Sequence, residues 1–567
     1  MVLPLNTIPQ AAPRPAPSPL RRLADPAGPL ALLLAALLAL ALAHWLFSTP
    51  FMRGQMPFWH QQDNDLAQYL AGFNAYVREP WHWPLLRIES INTPEGTLAT
   101  FLDTIPLYAM LLKLWQHGPD TPYRNPYALW ITLCFLLQGA GAWWICREAR
   151  LRSWPVLGTM TVMLALFPPL AFRIHHTSLM SQWLLLFGLA VYLRGQRLGR
   201  LATAAWLPLM LAAFYINIYL FCMLVLLFAA DLARHVRAGD VRRSALTALL
   251  AGGALGLSML ATMLPLGNGA GGADWGFGYY SMNLLSPFSG GRLLHFPHAV
   301  AHDGQGEGYA YVGVFVLLAA GYAVALRRRL DPGFWRRHRA LAVTLALMAV
   351  FSLSNMVYLG KNELFHLDLP AWTTKLTAIM RSSGRFFWLP GYVLTAFTVV
   401  TLARHLPPRR CAALLLALIA LHVWDLRPHF DDVRRVVSAP AAEPVREALW
   451  NDFLGPDTRA LQVYPPFGCD KGPAVKTLLP TMVYAVKHQL SISTGYLARV
   501  KKPCDNYAAE IAGITAPSTA FVFIKNDFPE RQQIDRLLGG PSAASCIEAD
   551  FAWLCKRTPA PAMEKQP

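Results

Sequence analysis

The sequence predicts an α-helical polytopic membrane protein of about 11 transmembrane helices, closed by a small C-terminal extracytoplasmic α/β domain. Three observations predict it. The 567-residue chain is 54% hydrophobic and only 15% charged, a balance that soluble domains rarely sustain. Apolar runs long enough to form spans recur through residues 28–426. Arginine clusters separate them in a regular alternation.

The first span is residues 28–49. A Pro-rich, basic stretch, "PRPAPSPLRR", precedes it, but the apolar run is about 20 residues long and has no small-residue cleavage site. It reads as a retained span behind a cytoplasmic tail, 1–27. Further runs lie near 127–146, 153–171, 179–194, 244–265, 310–326, 339–356, 387–403 and 410–425. The apolar stretch 201–232 is too long for one span and is broken by "FYINIY", so it divides into two helices meeting at Tyr215–Tyr219. The stretch 100–115 is expected to lie on the outer surface without crossing.

The arginine-rich segments 147–152, 194–200, 234–243, 327–339 and 404–410 all fall on the side of the N-terminus in this arrangement. The positive-inside rule makes that side cytoplasmic. The net charge of +17 is therefore a topology signal, and no nucleic-acid partner is expected. The large loops 50–126, 266–309 and 357–386 face outward, as does the tail 427–567. Chemistry is expected on that outer face.

The tail carries 17 Lys+Arg and 15 Asp+Glu, so it is nearly neutral. Runs such as "ALQVYPP", "SISTGYL", "TAFVFIK" and "CIEADFAWLC" alternate with helical stretches at 473–488 and 530–538, which gives an α/β domain. Its four cysteines, in an oxidising compartment, favour disulfides. Of three possible arrangements, Cys546–Cys555, closing a hairpin, with Cys469–Cys504 is favoured. The zinc-site alternative lacks CxxC spacing.

The first outer loop opens with "PFWHQQDNDLAQYLAGF". Leu66, Leu70, Phe73 and Val77 recur at helical spacing, which predicts an amphipathic helix in the membrane interface. Asp65, Gln68, Tyr69 and Gly72 share a neighbouring face. Trp59, Trp81 and Trp83 suit the headgroup belt. Asp63 or Asp65 could instead cap the helix, and Asp103 could cap a second one beginning near Pro106. Other outward polar groups are Arg173, His175 and His176 in "RIHH", Glu307 in "GQGEG", and Arg381 and Arg385 in "MRSSGRFFW". Each alone reads as structural or as a lipid anchor. Together, acids, a histidine and arginines at several span mouths suit an anionic lipid-linked substrate.

The motifs "DLAQYLAGF", "PEGT…FLDTIPL…K", "RIHHTSLMSQWLLL", "GFGYYSMNLLSPF", "GQGEGYAYVG" and "SSGRFFWLPGY" resemble those of a family of bacterial multi-spanning proteins akin to YfhO-like membrane proteins. The overall layout resembles the GT-C class of membrane glycosyltransferases. That resemblance implies transfer of a sugar from a polyprenyl-phosphate donor to a glycan or lipid acceptor on the outer face of the bacterial cytoplasmic membrane. It implies Asp65 as the catalytic carboxylate and Arg385 with Arg381 as the phosphate-holding groups. Asp103, His176 and Glu307 would line the pocket. No cofactor is expected. "DND" at 63–65 could ligate a divalent metal, but "RIHH" stands where the best-known GT-C enzymes carry an acidic motif. The rival expectation is a transporter or assembly partner for lipid-linked envelope polysaccharide, to which the broken "FYINIY" segment points.

Overall fold

A computed structural model describes residues 25–265, 276–498 and 502–558, apart from the side chains of 374–376. Most of the predicted cytoplasmic tail, including Arg21 and Arg22, lies outside the described residues, as do 266–275 of the second large loop and the last residues of the tail domain.

The chain is mostly helical, and a helix occupies each of the eleven expected places. Five are long and apolar enough to cross a membrane: Pro29–Phe47, Tyr127–Glu148, Ile218–Arg237, Val241–Thr262 and the Ser383–His405 segment. Pro408–Asp425 joins them if it is counted with Arg427–Ser438, from which a 50° bend separates it. Trp154–Ala165, Trp183–Leu198, Thr203–Ile216, Val314–Leu330 and Arg339–Ser352 are shorter, at 12 to 17 residues. Each falls below the roughly 20 residues that a straight crossing needs. Length and composition thus support five or six spans. Predicted boundaries shift where prolines or glycines intervene: the run 153–171 stops being one helix before Pro168 and Pro169.

The first helix shows how the bundle packs. Ala31, Ala35, Ala39 and Ala43 make a buried stripe, while Leu33, Leu34 and Leu37 are exposed. The stripe faces Tyr127–Glu148 at Gly139, where a Cβ would come within 2.3 Å of the Ala35 carbonyl oxygen. Small residues let two backbones meet where lipid supplies no hydrophobic drive between helices.

The tail folds around a five-stranded sheet in the order Ser491–Ile492, Ala460–Tyr464, Thr519–Ile524, Ala552–Arg557, Ala544–Ala549. The first three strands are parallel and the last two form an antiparallel hairpin. Alternation within the strands splits the core. Leu461, Val463, Val522 and Leu554 pack with the helix Leu478–Lys487 on one face. Tyr464, Phe521 and Phe523 pack with Ile511 and Ile534 on the other. Disulfides join Cys469 to Cys504 and Cys546 to Cys555, the two favoured pairs.

This domain docks on the loop 50–126. Ile91 pairs in parallel with Ile492, extending the sheet edge, and the Ile492 amide donates to the Ser90 carbonyl at 2.8 Å. Arg78 donates to the Val486 carbonyl at 2.7 Å, and Lys476 pairs with Asp63 at 2.5 Å. The loop and the tail therefore share one side of the molecule.

The docking changes the expected place of the Asp65–Arg78 helix. It is buried on every side from Leu66 to Val77, enclosed by protein and not lying open in a membrane interface. Trp59 is likewise buried, whereas Trp81 and Trp83 are exposed. Pro106–Trp115 is a ten-residue helix, too short to cross, with Trp115 79% exposed.

Candidate functional site

The capping alternatives fail locally. Asn64 caps the Asp65–Arg78 helix, its side-chain oxygen accepting from the Leu66 amide at 3.0 Å. Asp65 is the first helical residue, so its carboxylate is free to point away from the cap. Asp103 sits in the left-handed region (φ 53°), two residues before Ile105, the N-cap of Pro106–Trp115, which has no side-chain cap. Asp63 is taken by Lys476.

Glu307 is the hub of the site. Its Oε2 accepts from Arg385 Nη2 at 2.5 Å and Nε at 3.0 Å, and lies 2.7 Å from Arg173 Nη1. Its Oε1 lies 3.4 Å from His176 Nε2. The same His176 nitrogen is 3.5 Å from Asp65 Oδ2, so the imidazole stands between the two carboxylates. Asp65 retains 33% side-chain exposure, while Arg173 is 2% exposed and further held by the Gly306 carbonyl.

Glycines bring these groups together. A Cβ on Gly384 would fall 2.4 Å from Gly308 Cα, and one on Gly308 would fall 2.3 Å from the Ser281 carbonyl oxygen. "GQGEG" and "SSGR" thus abut backbone to backbone, which sets Glu307 against Arg385.

The wall is aromatic and hydroxylic. The Arg385 guanidinium lies 4.5 Å over the Tyr219 ring, and Arg381 lies 5.7 Å over Tyr280. Tyr219 follows the break at Asn217, whose side chain caps Ile218–Arg237 and donates to Ser178 Oγ at 3.0 Å. Ser178 also bonds the Tyr69 hydroxyl at 2.8 Å. The tail domain supplies the roof: Gln68 donates to the Tyr496 carbonyl at 2.8 Å, and the Ala498 amide donates to the Phe101 carbonyl at 3.0 Å.

The electrostatics tie the set into one field. Burial pushes the Asp103 carboxyl above its usual range; His176 opposes this, Asp65 reinforces it, and Arg385 and Arg381 oppose it. Burial also acts to raise Glu307, but Arg173, Arg385 and His176 override it and hold that carboxyl well below its usual range. Burial pushes the Tyr496 hydroxyl up, with Asp65 adding to the effect and Arg381 opposing it. Burial and the neighbouring His176 lower His175 to about 4, leaving it neutral beside the Phe58 ring.

The structure therefore gathers Asp65, Asp103, His176, Glu307, Arg381 and Arg385 in one place. It corrects one detail of the expected layout: Arg385 is already paired with a carboxylate. Arg173, noted in the sequence beside the His pair but given no role, joins the site, as do Tyr219, Ser178, Asn217 and Tyr496, which the sequence did not single out. The adjacency of Arg173 to the His pair was the one available signal for it. Among the described residues, no group of three or more His, Cys, Asp or Glu is arranged to hold a metal ion.

Residues 36–427 match the family described as "Domain of unknown function (DUF6311)", and residues 449–557 match the DUF6311 C-terminal domain. Curated proteins give no match. The chain belongs to the DUF6311 family.

Proposed function

We propose that this DUF6311 protein is a GT-C-type membrane glycosyltransferase, taking a sugar from a polyprenyl-phosphate donor to a glycan or lipid acceptor. One observation carries the reading: two carboxylates and a cluster of guanidiniums, separated by His176, meet beneath the tail domain. In this reading all eleven helices cross the inner membrane, short ones by tilting with their flanking turns, and the site opens to the periplasm. The two disulfides fit that compartment.

The charge layout suits the reaction. Arg173 and Arg385 face a single carboxylate, which leaves the Glu307 side net positive, with Arg381 adding to it. That side holds the donor phosphate through charge-assisted hydrogen bonds. Asp65, on the other side of His176, takes the proton from the acceptor hydroxyl as its oxygen attacks the anomeric carbon. The carbon–oxygen bond to phosphate breaks, and its electron pair leaves on the polyprenyl phosphate. Asp103, buried within the field of Asp65, His176 and Arg385, accepts a hydrogen bond from a sugar hydroxyl.

The second reading, transport of a lipid-linked intermediate, draws on the helix break at Asn217 beside the site. Reconstituted vesicles separate the two. With a labelled polyprenyl-phosphate sugar and an acceptor, a transferase puts label into the acceptor. A transporter moves the intact labelled lipid between leaflets and forms no product.

A further inference from the structure

A cavity of about 400 Å³ lies at the other end of the helices from Glu307. The 22-residue helix Tyr127–Glu148 joins the two places. Its Tyr127 hydroxyl donates to the Tyr69 carbonyl beside the hub, and its last turn, about 33 Å away, lines the cavity through Arg147. Arg150 and Arg152 follow that turn and line it too. Asp25 joins from just before the first helix, and Arg197 from the last turn of Trp183–Leu198. Four guanidiniums therefore meet at one place.

Local structure fixes these groups. Tyr127–Glu148 ends in a tight turn, in which the Arg150 amide donates to the Arg147 carbonyl at 3.0 Å and the Leu151 amide to the Cys146 carbonyl at 2.9 Å. Such a turn puts its reversing residue in the left-handed region, where glycine is favoured, yet Arg150 stands there at φ 57°. Arg197 is braced by Glu148, a carboxylate 1% exposed and 2.6 Å from the Arg197 Nε. Arg147 lies 5.1 Å over the Trp143 ring. Arg152 reaches Asp25 only at 3.7 Å. Among the described residues, neither Arg147 nor Arg150 pairs with a carboxylate.

The charge selects the ligand. Four arginines against Asp25 and Glu148 leave two positive charges in excess. Residues 1–24 contain three arginines and no acid, so the preceding sequence holds nothing to neutralise them. The planar fork of a guanidinium matches phosphate oxygens. Arginines that served only to set topology would fan out into water. These converge on one cavity, and one of them is seated by a buried carboxylate. The neighbouring surface points to the source of the phosphate. The first helix begins four residues after Asp25, and Leu30, Leu33, Leu34 and Leu37 are exposed along it, an apolar track for acyl chains beside a basic pocket for their headgroup. We propose that this cavity binds the phosphate headgroup of an anionic phospholipid in the cytoplasmic leaflet. The inference rests on the cytoplasmic placement of the arginine-rich end and is independent of sugar transfer.

Native mass spectrometry of the full chain in detergent tests this, with phosphatidylglycerol, phosphatidylcholine and inorganic phosphate as the probes. One phosphatidylglycerol per chain should be retained at concentrations where phosphatidylcholine is lost. The exposed pair Arg147→Gln with Arg150→Gln should weaken that lipid by about tenfold or more, as loss of two charge-assisted contacts implies. Arg152→Gln alone gives a second, smaller step in the same direction. Arg328→Gln with Arg329→Gln removes the same charge from another arginine-rich loop, outside the cavity, and should leave retention unchanged. Thermal unfolding confirms that each variant folds. Asp65→Asn should hold the lipid like the unaltered chain, so failure here is distinct from failure of the transferase reading. Equal retention of phosphatidylcholine, full retention by the Arg147 and Arg150 pair, or an equal loss in the Arg328 and Arg329 pair would overturn the proposal. Capture of inorganic phosphate with no retained phosphatidylglycerol would assign the cavity to a soluble phosphate and overturn it as well.

Discussion

Arg385 pairs with Glu307 at 2.5 Å, and Arg173 shares the same carboxylate oxygen at 2.7 Å. The buried hub is thus two cations on one anion. Its anion holds its proton only at low pH, because Arg173 and Arg385 depress the Glu307 pKa against the effect of burial. The stabilisation from such a group is complete above the unfolded carboxyl value and fades as pH falls toward the folded one.

Glu307→Gln should therefore destabilise the protein strongly near neutral pH, by about 3–5 kcal/mol, because it strands buried guanidiniums. The gap to the unaltered chain should narrow as pH drops below roughly 4.5, where the unfolded chain's carboxyl begins to take up a proton while the folded one stays ionised. Thermal unfolding in detergent across pH 3–7 checks this. A gap that stays constant with pH would mean that the ion pair is not what the substitution removes.

The convergence of the six candidate residues was legible in part. Glu307, Arg385 and His176 stood out because each is an ionisable group beside a span mouth. What sequence could not give is which of them pair. A lone arginine such as Arg173 looks like a lipid anchor until Gly308 and Gly384 are seen to let two loops touch. Tyr496 lies 428 positions from Gln68, the residue that fixes its carbonyl, and no local pattern announces such a contact. The helices were legible from apolar periodicity, but their crossings were not, because several are shorter than a bilayer. The amphipathic pattern of Asp65–Arg78 predicts a membrane surface helix. A buried helix under a docked domain shows the same stripe, and only the tail helix Leu478–Lys487 distinguishes the two.

The tail domain is expected to depend on its bridges. Non-reduced peptide mapping should find Cys469 linked to Cys504 and Cys546 linked to Cys555. Replacing Cys469 and Cys504 by Ser should cost roughly 2–5 kcal/mol of domain stability. It should also raise amide exchange at 493–498, the segment over the site. Free thiols at all four positions would place the domain in a reducing compartment and remove the outer-face reading.

Orientation has a direct check. Reporter fusions at Arg197 and Arg328 should read cytoplasmic, and fusions at Gly290 and Gly539 external. An external signal at Arg328 would break the eleven-crossing arrangement.

The roof can be loosened separately from the chemistry. Gln68→Ala leaves the Tyr496 carbonyl without its 2.8 Å donor. Limited proteolysis should then cut more readily within 493–498, while the helices of the membrane region stay protected. Unchanged cleavage would show that the remaining contacts, among them the Ile91–Ile492 pairing, the Lys476–Asp63 ion pair and the Arg78–Val486 hydrogen bond, hold the domain down without it.

The central claim is that Asp65 is the base of a sugar transfer, and Asp65→Asn tests it most directly. The exchange keeps the shape of the side chain and leaves the Asn64 cap untouched. Glycan product is measured in membranes from cells making equal amounts of each protein. The account predicts near-normal thermal stability and transfer reduced by about 10²–10⁴-fold, the usual worth of a positioned general base. Full transfer by Asp65→Asn, with Asp103→Asn equally active, would contradict it and leave the first outer loop without a carboxylate for the reaction.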